Sequence, residues 1–161
     1  MGNWTEIERQ ALELAERVRG RFEAHGLGLL ATLRKDGSPR ISGMELLFGL
    51  DEIWLGMMQD SLKALDLLRD PRFALHSATT DKQVSAGDAK IAGVAVAVED
   101  DASLQAFRQA FSEHSGSDAP PPPFHLFKLD IREMSILVPE GDHLNIDIWT
   151  AAGGLQHVER R

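Results

Sequence analysis

The stretch from Ala31 to Leu75, ATLRKDGSPRISGMELLFGLDEIWLGMMQDSLKALDLLRDPRFAL, constrains the fold more than any other part of this chain. Apolar runs alternate there with Asp36-Gly37, Gly49 to Glu52 and Asp70-Pro71, each a turn or stop signal, so the stretch predicts three strands, a short helix and a fourth strand. Asp36-Gly37 closes a hairpin between a strand at Leu27 to Leu33 and a return strand that starts at Pro39 and runs Ile41 to Phe48. A second turn leads to Ile53 to Met57, the third strand of a local meander. Asp60 or Ser61 caps the helix, Leu62, Leu65 and Leu68 form one apolar stripe on it, and Asp70-Pro71 stops it before a strand at Phe73 to Ser77.

Ser61 and Lys63 stand at the start of that helix, where free backbone N–H groups and the positive end of the helix dipole favour a phosphate. A lysine in a first turn opposes the dipole on its own. With an anion at the same helix end, the ammonium and the amides act together. The arrangement points to a phosphorylated cofactor lying across a small β-structure.

Upstream, Thr5 and Glu8 have capping-box spacing, and Ile7, Ala11, Leu14, Val18 and Phe22 follow at steps of three and four, predicting a helix over about residues 5 to 24. Downstream, residues 78 to 90 are polar and glycine-bearing and predict a loop before a strand at Ile91 to Val98. In that strand Val94, Val96 and Val98 face one way and Ala95 and Ala97 the other. Asp100 or Asp101 caps a third helix with Leu104, Phe107 and Phe111 on one face, ending near His114. The SGSDAPPPP segment is a stiff connector. Three further strands are predicted at Phe124 to Ile131, Met134 to Val138 and Leu144 to Trp149, and Gly153-Gly154 leads to a charged tail. About eight short strands against three helices predict a mainly β, α+β protein: an antiparallel, barrel-like sheet with helices at its ends.

Composition removes several function classes. With 17 Lys and Arg against 25 Asp and Glu, the net charge of −8 argues against general nucleic-acid binding. The absence of cysteine excludes disulfides and thiolate chemistry, and the six histidines lack H-x-H or H-x-x-x-H spacing, so no metal site is expected. Gly26-Leu27-Gly28-Leu29-Leu30-Ala31 matches G-x-G-x-x-A in form, but a helix precedes it and a strand follows, the reverse of a dinucleotide site. There is no G-x-S-x-G elbow and no P-loop. The 161 residues suit one domain, 1 to 161, and no apolar run approaches a membrane span, so a soluble, cytoplasmic protein is expected.

The order of D-G-x-P-R at Asp36 to Arg40, S-x-K-A at Ser61 to Ala64 and D-P-R at Asp70 to Arg72 resembles the pyridoxamine 5'-phosphate oxidase-like flavin-binding split barrels. The GDAKIAG run, the HLFKLDI strand and the final tryptophan strand extend the likeness over nearly the whole chain. The resemblance implies a split β-barrel homodimer with FMN, or alternatively a deazaflavin coenzyme, in clefts at the dimer interface. It sets the isoalloxazine ring along the backbone of Ser42, Gly43 and Met44, the ribityl chain beside Leu55 and Gly56, and the phosphate at Ser61 and Lys63. Trp149, Gly153, Gly154, His157 and Arg161 fit the family's C-terminal region loosely, with Trp149 and Arg161 as cofactor contacts; Trp149 also reads as an aromatic core plug. Two family cations are replaced, by Leu62 and Ser42, leaving Arg40 or a partner residue to substitute.

The activity implied is an oxidoreductase moving a hydride between the cofactor and a small organic substrate, with no catalytic residue of the protein singled out. A non-catalytic flavin carrier and a haem-binding split barrel with a histidine ligand are the alternatives.

Overall fold

In the computed structural model, which describes residues 2–161, every strand pairing is antiparallel. In chain order the elements are α1 (Trp4–Gln10), α2 (Leu12–Glu23), β1 (Gly28–Leu33), β2 (Pro39–Met44), β3 (Leu47–Gly49), β4 (Glu52–Met58), α3 (Leu62–Arg69), β5 (Arg72–Ser77), β6 (Asp88–Val98), α4 (Asp101–Ser115), β7 (Phe124–Glu140), β8 (His143–Thr150) and β9 (Gly154–Arg160). The sheet runs β2-β1-β5-β6-β7-β4-β3, with β8 and β9 added beyond β7.

The split lies along one edge of β7. Phe124 to Lys128 of that strand pair with β4, whereas Glu133 to Glu140 pair with β8, so one long strand feeds two diverging arms. The two strands expected at Phe124 to Ile131 and Met134 to Val138 are therefore one. Arg132 is the extra residue of a bulge opposite Ala92 and Gly93, which bends β7 without ending it. Gly93 is required at that bulge: a Cβ there would lie 2.1 Å from the Asp130 carbonyl oxygen.

The expected meander is corrected within its return strand, Ile41 to Phe48, which is two strands; the turn at Gly49 to Glu52 stands. β2 pairs only with β1, the ladder stops at Met44, and a separate short strand, β3, pairs with β4. The chain thereby crosses from one edge of the sheet to the other. The N-terminal helix is also two helices, broken at Ala11, whose φ of −146° and ψ of 56° interrupt the ladder. Asn3, not Thr5, is its N-cap, accepting from the Glu6 amide at 2.8 Å, while Thr5 Oγ1 donates to Asp51. The break lets Trp4 and Ile7 join Leu14, Val18 and Phe22 in one core. A second cluster, with Phe107 and Phe111 of α4 against Leu47, Trp54 and Leu126, closes the β3–β4 side. Gly154, at φ 69°, turns the chain into β9, so the expected charged tail is a strand paired along β8.

Candidate cofactor site

α3 lies against the β1–β2 hairpin and is oriented by charge. Asp66 is 3% exposed; it accepts from Thr32 Oγ1 at 2.7 Å, Arg40 Nε at 2.7 Å and Arg69 at 3.1 Å. Arg69 also donates to the Leu33 carbonyl at 2.6 Å. Burial alone would raise the Asp66 carboxyl, but these three donors outweigh it and hold the group below the ordinary aspartate value. The contacts pin the C-terminal half of α3 near Leu33 and Thr32. At its N-terminus the first residue of the helix, Leu62, borders the same cleft as Arg34, Lys35 and Arg40 of the hairpin.

That N-terminus is open. Ser61 is the N-cap, yet its side chain makes no capping bond, and Ser61 Oγ is shielded from solvent with no partner among the described residues. The amides of Leu62, Lys63 and Ala64 likewise have no acceptor outside the helix among those residues. Lys63 makes no salt bridge there, because Asp66 takes Arg40 and Arg69 instead. An orphaned hydroxyl, three free amides and an unpaired ammonium form the donor set a phosphate needs.

The neighbouring cleft, about 620 Å³, is lined by Arg34, Lys35, Arg40 and Arg69 against Asp36 and Asp66, with Leu62 and Leu65, a local excess of cations in an acidic chain. Arg40 bonds Asp66 through Nε, leaving its terminal nitrogens without a hydrogen-bond partner among the described residues. Leu62, Leu65 and Leu68 do form a stripe, but it faces outward at 61%, 39% and 49% exposure. Ala64, Asp66 and Leu67 are the buried face, because the Asp66 contacts fix the rotation of the helix.

The remaining residues suggested by the sequence are spread over several environments. Ser42 is half-buried, Gly43 exposed and Met44 buried, all at the free edge of β2. Leu55 points into the main core, and the open side of Gly56 is filled by Phe107, whose ring atoms lie 2.6 Å from where a Cβ would stand. β4 therefore presents backbone there, not side chains. Trp149 is 3% exposed and its indole N–H donates to Gln10 Oε1 at 3.0 Å, as a core plug does. Arg161 is exposed, 3.9 Å from Asp142, and His157 belongs to an ion-paired group with Asp147 and Arg17. Ser61 and Lys63 share one helix end; Trp149 and Arg161 lie on β8 and just beyond β9. Sequence reasoning passed over Asp66, Thr32 and Arg69, although a lone acid between Leu65 and Leu67 was the available signal.

An antiparallel sheet split along β7, with an open helix N-terminus beside the β1–β2 hairpin, defines a class of fold shared with FMN-binding split barrels. The family model for pyridoxamine 5'-phosphate oxidase matches residues 14–137, and the chain belongs to that family. Similar solved structures include PhzG from Burkholderia lata 383, bound to tetrahydrophenazine-1-carboxylic acid: TM-score 0.65, 14% identity, 94% of this chain and 92% of that one. A pyridoxamine 5'-phosphate oxidase-related, FMN-binding protein from Nostoc punctiforme gives TM-score 0.65 at 16% identity over 94% and 97% of the two chains. A heme-binding protein from Mycobacterium smegmatis gives TM-score 0.58 at 15% identity over 89% and 87%. No curated protein matches the chain by sequence. No helix among the described residues is long and apolar enough to cross a membrane.

Proposed function

We propose that this protein is a homodimeric flavin-dependent oxidoreductase that holds FMN by its phosphate at the N-terminus of α3. The observation that carries the reading is the donor set at Ser61 and Lys63: a shielded hydroxyl with no partner, free first-turn amides and an unpaired ammonium. Arg40, one strand away, supplies the second cation that Ser42 and Leu62 do not. The flavin ring would run along the edge of β2 at Ser42 to Met44, touching backbone, and beside the backbone of Gly56. When bound, the flavin supplies hydride transfer to or from a small organic substrate. The protein's part is to fix the phosphate, orient the ring and exclude water.

Dimerisation is supported by exposed apolar surface. Ile41 is 72% and Leu29 42% exposed, and with Ala31, Ala74 and Ala92 they line a cleft of about 420 Å³ on the outer face of the sheet. A two-fold copy covering this face would close the cofactor cleft from the other side. For the haem alternative, His76, His114, His125, His143 and His157 already have hydrogen-bond or ion-pair partners, which leaves His25 as the histidine free to serve as a ligand among the described residues.

Titration of the purified dimer with FMN and with a deazaflavin coenzyme, read by absorbance and thermal stability, tests the proposal. FMN at 100 times its dissociation constant is expected to add about 2.7 kcal/mol of stability. Failure of both coenzymes to bind at micromolar concentration overturns it; stabilisation by the deazaflavin alone reassigns the cofactor.

A further inference from the structure

Two helices end at one cleft on the side of the molecule away from α3. The last turn of α2, the His25-Gly26-Leu27 turn, the Glu45-Leu46 link between β2 and β3, and the last turn of α4 enclose about 350 Å³. Its floor is aromatic, from Phe22, Phe48 and Phe111, all at most 7% exposed. Its rim carries Glu23, Glu45, His25 and His114; the nearest guanidinium, Arg19, lies 5.5 Å from the centre of the Phe48 ring and is tied to Glu23, which leaves Phe22, Phe111 and Glu45 as the groups no cation occupies among the described residues. Glu23 is bonded by Arg19 Nε at 3.0 Å and lies 3.4 Å from His114 Nε2, while Glu45 makes no salt bridge among the described residues. The C-terminal carbonyls of both helices add partial negative charge to the same space.

We propose that this cleft binds a small organic cation: an ammonium carried on a flat apolar or aromatic body, without a phosphate or carboxylate. The rings offer π-faces to the cation and contact area to its body, and the carboxylates accept its N–H groups. Glu45 and the helix-end carbonyls disfavour an anionic group on the ligand, and the one guanidinium nearby, Arg19, is already spent on Glu23, which sets the cleft apart from a site built for phosphorylated amines. The cleft is formed by one chain alone and begins at Glu45, the residue after the Ser42 to Met44 edge. Taking the bound cation as the flavin's substrate rests on the proposed function; the binding itself does not.

The test is titration of isotope-labelled protein with phenethylammonium, phenylacetate and phenyl phosphate, following the amides of residues 23 to 27 and 44 to 46 and the imidazole signals of His25 and His114. Phenethylammonium is expected to shift these signals saturably while the two anions leave them in place. Glu45→Gln, at an exposed position, should weaken the amine by about five-fold or more, the loss of one charge-assisted contact, without disturbing the rest of the spectrum. An equal response to the anions, no saturable shift with the amine, or full affinity in both Glu45→Gln and Glu23→Gln overturns the proposal. FMN titrated into the same sample separates the two readings. Amine binding without FMN binding removes the cofactor assignment alone, and FMN binding without amine binding removes this one alone.

Discussion

Asp66 shows how one buried carboxylate organises a helix, a hairpin and a cleft. Because its pKa is depressed in the folded protein, its stabilisation is present above the ordinary aspartate value and is lost as pH falls through the folded one, so the loss lies below about pH 4. Asp66→Asn should cost about 3 kcal/mol in urea unfolding, the low end for breaking a buried ion pair, and should flatten the acid limb of the stability profile. Lys63→Ala should leave stability nearly unchanged while weakening FMN by roughly ten- to hundred-fold, since one charge-assisted contact is worth about 1.5 to 3 kcal/mol. Fluorescence titration of the wild type and variant checks it. The open helix start at Ser61 and Lys63 was legible because capping and the free amides of a first turn are set by local geometry. Asp66 was not, because its three donors come from positions up to 34 residues away.

At the scale of elements, strands and helices follow local periodicity, but their partners do not. The S-x-K helix and its Asp70-Pro71 stop were readable; Arg72 in fact closes the stop, donating to Asp70 and holding that carboxyl down at about 2. The meander was misplaced because the chain crosses from β2 at one sheet edge to β3 at the other, a crossover that the alternation of residues does not encode, while β3 and β4 remain a local hairpin. Gly56→Ala probes the fit of β4 under α4: its new methyl meets the buried Phe107 ring, and overpacking of this kind costs about 1 to 3 kcal/mol in thermal unfolding. The C-terminal hairpin makes a pH-dependent contact. Asp147 accepts from Arg17 of α2 and sits 2.6 Å from His157 of β9. The bond to Asp147 raises the imidazole; on Asp147 itself, burial is outweighed by His157 and Arg17, and the carboxyl is lowered. The histidine's contribution is complete below the ordinary imidazole value and fades as pH rises through the higher folded one. Protection of the β9 amides against hydrogen exchange, relative to β6, should therefore fall as pH rises above the ordinary imidazole value of about 6.5. In His157→Gln that difference should disappear.

For the whole molecule, the outer sheet face and the outward leucines of α3 leave apolar surface that one chain does not cover. Ile41→Glu, in the middle of that face, should give a monomer in analytical ultracentrifugation and weaken FMN by about ten-fold or more if the second copy closes the cleft. Retention of a dimer with full FMN affinity would place the interface elsewhere.

By itself the amino-acid order determined the β-rich class, the helix that starts at Ser61 and the phosphate-favouring chemistry of that start. These depend on neighbours within a turn or two, where sterics, capping and periodicity act. Only the tertiary structure decided that α3 turns its leucines outward, that one bulged strand divides the sheet, that Trp149 gives its N–H to Gln10, and that two helix ends meet over three phenylalanines. Each of those outcomes joins residues far apart in the chain. Which distant groups meet is set by packing one core and satisfying its buried polar atoms, constraints that no local stretch of sequence contains.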